Sequence, residues 1–431
     1  MSSIKSRRAV VVGGLRTPFV KAFKEFTKID TIGLGKTAVS GLMQKLELSA
    51  KDVDGLYWGA VILPPLTVNV GREIALDLKM FGVEAATCTR ACTSGLQAIH
   101  MAVSAIERGE ADVLIAGGSD STSNAPIALP SKVVHALAPI ALGGKASAGD
   151  YLGAIGQLFP LHESLPRQPK IAERTTGEVM GESAERMAQR LEISRESQDE
   201  FAVRSHTRAA AAVESGIFSD EVTPVETETG TVSADTMIRA NSNVEKLATL
   251  RAAFGKNGTV TAGNASPLTD GAAAVVVMSE EKARALGYKP LAAFRSFAYS
   301  GVDPSDLLLI APAISVPRAL ERAGMELSDI NLVDMHEAFA AQVLSVLKML
   351  ESDGWAREKL GRERAVGSID PSILNIYGGS LAIGHPFGAT GARMVTTMAN
   401  ELARSGKETA LLAICAAGGL GAAAVMERVR D

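Results

Sequence analysis

The chain has 431 residues, 46% of them hydrophobic and 21% charged, which is enough for two or three domains with large cores. A formal net charge of −4 argues against a general nucleic-acid surface, and three cysteines are too few for a disulfide framework. The cysteines and six histidines lack the spacing of metal ligands, and no apolar run reaches the roughly 18 residues of a transmembrane helix. The basic segment 1–8 is too short for a transit peptide, so we expect a cytoplasmic protein with reduced thiols.

The first part of the chain alternates strand and helix patterns. We predict a strand at Ala9–Val12, a helix at Thr31–Leu48, a strand at Leu56–Ile62, a helix at Asn69–Met80, a helix from Leu96 that Gly109 ends, and a strand at Val113–Gly118. Strands that alternate with helices of this length favour parallel βαβ packing. The fold class expected from the pattern is therefore α/β.

Residues 122–180 break this alternation. They are rich in Pro, Gly and Ser, and prolines interrupt the apolar run 125–142, so we expect irregular structure there. Residues 183–216 then have the pattern of two polar-faced helices. An irregular insertion in an α/β chain usually caps an active site or supplies ligand contacts, and a packed surface excursion is an equal alternative.

A second alternating series follows the insertion. Regular structure is predicted at Thr259–Ser266, in strands at Ala272–Met278, Leu291–Ser296, Asn331–Met335, Ala410–Cys415 and Ala422–Val429, and in helices at Ala311–Ala323, Ala338–Met349 and Ala389–Leu402. The charged segment Glu351–Asp370 is expected to be a surface excursion. Two series of similar order indicate two related halves.

Cys92 lies in the stretch Thr87–Gly95, between a strand end and the start of a helix. A thiol there is close to the positive end of the helix dipole and to unpaired backbone N–H groups, an environment that lowers a cysteine pKa. The alternative is a small buried hydrophobic residue. The Ser-Gly pair that follows Cys92 at a tight helix start favours a nucleophile.

His385 lies in the glycine-dense loop Gly378–Gly391, where Pro386 restricts its direction. Such a histidine suits proton transfer, because the ordinary imidazole pKa is near neutrality. A structural histidine and a phosphate-binding loop are the alternatives, although neither P-loop nor dinucleotide spacing is matched.

Cys415 and His336 also stand next to turns. Cys415 ends an apolar strand before the glycine turn 416–421, whose N–H groups suit an oxyanion, although a core cysteine is the alternative. His336 and Glu337 lie between a strand and a helix, where an ordinary helix start is an adequate alternative. Two cysteines and two histidines at such turns form a nucleophile, base and acid set, which indicates thiol-based acyl transfer.

Together these motifs resemble the thiolase family over nearly the whole chain. The matching stretches are Cys92–Gly95, Gly384–Gly391, Cys415 with the following glycines, Thr259–Ser266 with Asp270–Ala274, Met180–Glu185 and Arg16–Phe19. Many thiolases have Asn at the place of His336 and Gly at the place of Ala417. Both variants, with the segment 123–127, resemble the branch of the mitochondrial trifunctional protein β-subunit and its bacterial counterparts.

The resemblance implies a five-layered αβαβα thiolase fold with two similar halves and an inserted loop domain. The implied boundaries are an N-terminal half at 1–121 and 259–285, a loop domain at 122–258 and a C-terminal half at 286–431. It also implies the catalytic residues: Cys92 as nucleophile, His385 as its base and Cys415 as the acid that protonates the enolate. One oxyanion hole would be His385 with a water held by His336, and the other the N–H groups of Cys92 and Ala417.

Further residues are implied as contacts to coenzyme A, a co-substrate and not a permanently bound cofactor. They are Met180, Arg239, Leu250, Phe254, Ala262, Ser266, Ala338 and Phe339. The function implied is cleavage of 3-ketoacyl-CoA by CoA in fatty-acid β-oxidation. The alternative is a biosynthetic acetyl-CoA C-acetyltransferase that condenses two acetyl-CoA, and a third is an assembly subunit with a vestigial site.

The resemblance further implies a homodimer or a dimer of dimers, and allows a complex with a hydratase/dehydrogenase subunit. The apolar segment 125–142 is open to contact with that partner, a membrane surface or the acyl chain, with packing inside the insertion as the alternative.

Overall fold

The computed structural model describes residues 7–166 and 172–430, so most of the basic segment 1–8 lies outside it. The strands are β1 Ala9–Arg16, β2 Val20–Lys21, β3 Gly55–Gly59, β4 Glu84–Cys88, β5 Val113–Asp120, β6 Val225–Thr227, β7 Gly230–Val232, β8 Thr269–Ser279, β9 Ala292–Gly301, β10 Leu332–Met335, β11 Thr409–Ala416 and β12 Leu420–Arg428. The helices are α1 Thr31–Lys45, α2 Val70–Asp77, α3 Ser94–Glu107, α4 Ser131–Leu142, α5 Ala148–Gln157, α6 Met180–Arg190, α7 Arg195–Glu214, α8 Val244–Ala248, α9 Glu280–Ala285, α10 Pro312–Ala323, α11 Ala340–Leu350, α12 Asp353–Trp355, α13 Ser380–Ile383 and α14 Thr390–Ser405.

The strand order reveals two similar halves. The long sheet runs β10-β11-β12-β9-β1-β8-β5-β3-β4, and β2 pairs with β8. In the first half, the first strand β1 pairs with the last strand β8, β8 pairs with β5, and β5 pairs with β3. In the second half, the first strand β9 pairs with the last strand β12, β12 pairs with β11, and β11 pairs with β10. The predicted relation between the halves is confirmed, and they meet where β1 and β9 pair antiparallel.

Alternating burial along the strands arranges the helices in layers. On β8, Val275 packs with the cluster that contains α3 and α14, whereas Val276 packs with the cluster of α1 and α2. On β11, Leu412 joins that same central cluster, whereas Leu411 faces the cluster of α10 and α11. Helices α3 and α14 therefore lie between two sheet halves whose outer faces are covered by helices. This is the five-layered αβαβα arrangement predicted.

Within the described chain, residues 125–166 belong to one compact unit, and residues 7–124 and 172–430 belong to a second, larger unit. The prediction of irregular structure across 125–142 is wrong, because α4 occupies Ser131–Leu142. Pro130 precedes the first turn, where a missing N–H costs nothing, and Pro139 comes late enough to remove a single helical hydrogen bond. Helix α5 begins at a capping box formed by Ser147 and Asp150.

Several predicted strands and turns begin or end at other residues in the structure. Strand β3 ends at Gly59 and not at Ile62, because the N–H groups of Val61 and Ile62 donate to the Asp120 carboxylate. The stretch 259–266 forms turns and single bridges, with Asn264 Oδ1 accepting a bond from Thr261 N–H. The predicted helix pair in 183–216 is confirmed as α6 and α7. Across the described ranges, the helices are too short or too polar for any of them to span a membrane.

Candidate active site

Cys92 stands on a tight turn between β4 and α3. Ala91 has a left-handed backbone with φ +47°, which is uncommon for a residue with a side chain. The Ser94 hydroxyl closes the turn by accepting from Arg90 N–H at 2.7 Å and donating to Ala91 C=O at 2.6 Å. The strained turn therefore holds the thiol immediately before the first turn of the central helix α3.

The environment of Cys92 differs from the sequence prediction. Burial raises its pKa to about 12, whereas the helix-dipole argument predicted a lowered value. The backbone N–H groups of Ala417 and of Cys92 itself oppose this rise, and the nearby charge of Asp120 adds to it. Desolvation is the largest of these effects, although Cys92 is only partly buried by surface area, in contrast to the buried Cys415. The resting thiol is thus protonated and requires a base.

Cys415 lies at the end of β11, opposite Gly421 of β12, and it is 1% exposed. Burial raises its pKa well above the ordinary value, and the proximity of Cys92 raises it further. The two thiols therefore share one enclosed site. The chain then turns through Gly418 and Gly419, both with a positive φ, and the backbone N–H of Ala417 is close enough to Cys92 to lower the pKa of its thiol.

His385 is held by two threonines. Its backbone N–H donates to Thr269 Oγ1 at 2.8 Å, and its Nδ1 lies 2.7 Å from Thr390 Oγ1. Burial, with a smaller effect of Arg393, lowers the imidazole pKa to about 3. The ring is neutral at neutral pH, and its Nε2 has no hydrogen-bond partner within the described residues. It is therefore free to accept or donate a proton.

His336 lies directly against His385, with ring centroids 4.1 Å apart. Its backbone N–H donates to Ala413 C=O of β11, and its Nδ1 lies 2.9 Å from Ser380 Oγ. Burial, His385 and Arg393 together lower its pKa well below the ordinary value. Its Nε2 also lacks a partner among the described residues. Two neutral imidazoles thus present unpaired Nε2 atoms side by side.

Glycine contacts join the His385 loop to the Cys92 helix. A Cβ at Gly95 would overlap the carbonyl oxygen of Gly388, and one at Gly391 would overlap the backbone of Leu96. Only glycine allows this backbone approach, which places the histidine loop on the first turn of α3. The glycine density of the loop therefore serves packing between catalytic elements and does not indicate a phosphate site.

Asp120 fastens the same loop and was not identified from the sequence. Its buried carboxylate accepts bonds from Gly388 N–H at 2.7 Å, Ile62 N–H at 2.6 Å and Val61 N–H at 3.0 Å. Burial raises its pKa to about 7, although these N–H groups lower it. The sequence feature that could have identified Asp120 is an acidic residue at the end of the apolar strand β5. Asp120 ties the loop of His385 to the end of β3.

Glu337, which follows His336, has a structural part in the site. Its buried carboxylate accepts from Ser205 Oγ at 2.6 Å, Asn375 Nδ2 at 2.7 Å and Leu381 N–H at 3.2 Å. Burial raises the pKa of this carboxyl. The network joins α7, through Ser205, to the segments before and within α13. It therefore braces the loop that carries His336.

A buried ion pair lies behind the two histidines and was also missed. Arg393 Nη1 of α14 is 2.5 Å from Asp334 Oδ2 of β10, and both side chains are 2% exposed. Burial raises the pKa of Asp334, while Arg393 opposes that rise. The guanidinium contributes to the lowered pKa of both imidazoles. It thus helps to keep His336 and His385 neutral.

Most of the predicted CoA contacts lie together. Phe254 packs edge-on against Phe339 with centroids 6.2 Å apart, and a Cβ at Gly181, next to Met180, would overlap the Phe254 ring. Ser266 N–H donates to the carbonyl of Ala338, two residues after His336, at 2.9 Å. These contacts bring Phe254 and Ser266 against the segment that follows His336.

The remaining predicted contacts are more exposed. Leu250 is 36% exposed and lies against Gly263, beside the exposed Ala262. Arg239 is exposed as well, and its backbone N–H is 3.2 Å from His206 Nδ1 of α7. No cluster of three potential metal ligands occurs in the part of the chain that the structure describes.

Comparisons with known protein families and with curated sequences both identify similarity to thiolases. The family model described as "Thiolase, N-terminal domain" matches residues 9–281, and that described as "Thiolase, C-terminal domain" matches residues 288–428. The 3-ketoacyl-CoA thiolase of Shewanella woodyi is 44% identical over 431 residues, which cover 99% of this chain and 98% of the relative. That of Shewanella loihica is 44% identical over 427 residues, which cover 98% and 97%.

Solved structures agree in fold over nearly full length. The Bacillus anthracis acetyl-CoA acetyltransferase has a TM-score of 0.85 and 32% identity, covering 99% of this chain and 100% of its own. The human mitochondrial 3-ketoacyl-CoA thiolase has a TM-score of 0.84 and 30% identity, covering 98% and 99%. The same human enzyme in complex with CoA has a TM-score of 0.83 at 30% identity, covering 98% of both chains.

Proposed function

The chain belongs to the thiolase family, and on that premise we propose that it is a degradative 3-ketoacyl-CoA thiolase. It would cleave 3-ketoacyl-CoA with CoA into acetyl-CoA and a shortened acyl-CoA, as in fatty-acid β-oxidation. The observation that carries the proposal is one enclosed site with two thiols, Cys92 and Cys415, and two unpaired imidazole nitrogens. Relatives 44% identical over nearly the full chain bear the name 3-ketoacyl-CoA thiolase.

The first half-reaction begins at Cys92. His385 Nε2 takes the thiol proton as the sulfur attacks the 3-keto carbon, and the need for a base follows from the raised pKa of Cys92. The bond between C2 and C3 then breaks. Its electron pair stays on C2 as the enolate of acetyl-CoA, which Cys415 protonates. The acyl group remains on Cys92 as a thioester.

The second half-reaction transfers that acyl group to CoA. Cys415, left as a thiolate after it protonates the enolate, takes the proton of the CoA thiol, directly or through His385, as the CoA sulfur attacks the thioester carbon. Cys92 leaves as a thiolate and takes back its proton from His385. CoA is therefore a co-substrate and not a resident cofactor.

Two groups of donors suit the developing charges. The Nε2 atoms of the neighbouring His385 and His336 rings, the second acting through a water, would stabilise the enolate oxygen. The N–H groups of Cys92 and Ala417, which lower the pKa of the Cys92 thiol, would stabilise the tetrahedral intermediates. One such donor is worth about 3–4 kcal/mol of transition-state stabilisation.

CoA would reach this site past a loop domain that we place at 122–258, between an N-terminal half at 1–121 and 259–285 and a C-terminal half at 286–431. Support comes from the packing of Phe254 with Phe339 and of Leu250 with Gly263, which brings residues of the insertion to the catalytic loops. The proposed contacts are Met180, Arg239, Leu250, Phe254, Ala262, Ser266, Ala338 and Phe339.

The biosynthetic alternative has its own support. The Bacillus anthracis acetyl-CoA acetyltransferase matches the fold as closely as the human thiolase does. The test is a chain-length profile of thiolysis with 3-ketoacyl-CoA substrates from four carbons upward. Preference for longer chains supports the degradative function. Turnover restricted to acetoacetyl-CoA favours the biosynthetic enzyme, and no acetyl-CoA from any chain length by the folded protein contradicts both.

The assembly and location stay predictions. We propose a homodimer or a dimer of dimers, and a complex with a hydratase/dehydrogenase subunit, on the resemblance to the trifunctional branch. A cytoplasmic location, with peripheral membrane contact as an option, is proposed on the three free thiols. Light scattering with and without the partner subunit tests the assembly.

A further inference from the structure

Glu173 holds the turn that follows Cys415, and the mechanism above gives it no role. Its carboxylate accepts a hydrogen bond from Gly418 N–H at 3.0 Å. The preceding N–H, that of Ala417, is close enough to the Cys92 thiol to lower its pKa. Two successive amide groups of one turn thus lie near two different acceptors, one inside the site and one at its edge.

Residues 417–419 form the hairpin loop between Ala416 and Leu420, which pair across β11 and β12. Gly418 and Gly419 have φ values of +80° and +68°, and glycine moves easily between backbone regions. Gly419 C=O accepts a bond from Val302 N–H at 2.8 Å, which secures one end of the glycine pair. The bond from Gly418 to Glu173 secures the other end. Without it, the Gly418 N–H loses this acceptor, and the peptide between Ala417 and Gly418 is positioned by the hairpin and the Val302 bond alone.

Glu173 is itself held in a closed loop. Its N–H donates to Glu178 C=O at 2.7 Å, and its C=O accepts from Gly177 N–H at 2.8 Å. Thr175 Oγ1 donates to Glu173 Oε1 at 3.1 Å. Ala172 and Val179 bridge at the base of the loop. The carboxylate therefore has a defined position from which to hold Gly418.

The loop is anchored to α6 and to the chain beyond β9. Glu178 accepts from Ser183 Oγ at 2.9 Å and forms an ion pair of 2.8 Å with Arg186, which donates to the carbonyl groups of Pro304 and Ser305. These carbonyls follow closely after Val302, which holds Gly419. The two residues that bond to the turn, Glu173 and Val302, are therefore connected to each other through Glu178 and Arg186. The loop continues directly into Met180, a proposed CoA contact.

We propose that Glu173 is a positioning residue for the second oxyanion hole, acting through Gly418 to aim the Ala417 N–H at the carbonyl oxygen of the acyl group bound to Cys92. This rests on the proposed function, because the hole matters to turnover only if acyl transfer occurs at Cys92. The proposal also gives the loop 172–179 a function: it connects Met180, a proposed CoA contact, to the turn that forms the second oxyanion hole.

The test compares Glu173→Ala with Glu173→Gln, whose side-chain carbonyl still accepts from Gly418. Glu200→Ala, at an exposed position of α7, is the matched control. Turnover of a 3-ketoacyl-CoA with CoA is measured, and the rate of Cys92 alkylation by iodoacetamide is followed across pH without substrate. Circular dichroism and the melting temperature verify folding.

We expect Glu173→Ala to lower kcat about 10- to 100-fold, the loss typical of misplaced reacting groups, and to slow Cys92 alkylation at a given pH. Glu173→Gln and Glu200→Ala should stay within about threefold of wild type in both measurements. Wild-type values for Glu173→Ala overturn the proposal, as does an equal loss in Glu173→Gln or a loss of turnover with unchanged alkylation. A wild-type protein without thiolysis contradicts the proposed function instead, while the alkylation comparison still tests Glu173.

Discussion

His336 and His385 face each other with ring centroids 4.1 Å apart and planes inclined by 43°, and a hydroxyl occupies the Nδ1 of each ring. Ser380 and Thr390 supply those hydroxyls, so both Nε2 atoms are left for chemistry. Burial keeps both rings neutral, because a charged imidazole there would lose its hydration. A neutral pair can hold an oxyanion and still exchange a proton with a thiol.

Replacing Cys92 by Ala should reduce thiolysis by at least about 1,000-fold, because no other side chain offers the acyl acceptor at the start of α3. Cys88→Ala is the control, since that thiol donates to the Ser94 carbonyl from the end of β4. Mass spectrometry of the protein mixed with 3-ketoacyl-CoA, without CoA, should locate the acyl group on Cys92. An acyl group on Cys88 would contradict the assignment.

Substitutions at His336 should separate its donor function from its shape. His336→Ala removes an oxyanion donor and is expected to lower kcat about 100- to 1,000-fold. His336→Asn keeps an N–H donor, the residue type of many thiolases, and should recover at least a tenfold part of that loss. Steady-state kinetics with saturating CoA measure both. Equal activity of the Ala and Asn variants would remove His336 from the oxyanion hole.

The pH dependence of kcat/KM should lack an acidic limb near pH 6.5. Burial and Arg393 lower the pKa of His385 to about 3, and His336 is lowered as well. A lowered pKa means that the base stays unprotonated as pH falls from 8 to 5, so its proton-accepting form is not lost in that range. Initial rates between pH 5 and 8, with stability checked at each pH, test this. A limb with a midpoint near 6.5 would contradict it.

Breaking the buried ion pair of Asp334 and Arg393 should destabilise the fold. Asp334→Asn leaves the guanidinium without a counter-charge and should cost about 3–5 kcal/mol of unfolding free energy. Asp334→Leu combined with Arg393→Met removes both charges and should cost less than the single change. Urea unfolding measures each variant. Disruption of the exposed pair of Arg108 and Glu110 is the control, and no measurable change is expected there.

Much of the site was readable from local patterns. Cys92 was located by the apolar spacing of α3 and the small residues before it, and His385 by its glycine-dense loop. These features can be read locally, because a helix start and a close approach of two backbones each require small residues at consecutive positions. Similarly, the strand and helix alternation predicted both halves. Helix α4 was not predicted because Pro130 and Pro139 resembled helix breakers, and α5 was not predicted because its ten residues include three glycines.

The sequence by itself determined the fold class, the order of the family motifs and the four side chains that we propose carry the chemistry. Only the tertiary structure decided how those side chains are charged, since the pKa of Cys92 rises under burial where the helix start alone predicts a fall. It also revealed the supports of the site, Asp120 under the His385 loop, Arg393 behind the histidines and Glu173 at the turn after Cys415. Desolvation and hydrogen bonds between distant segments depend on which layers pack together, and no local pattern contains that information.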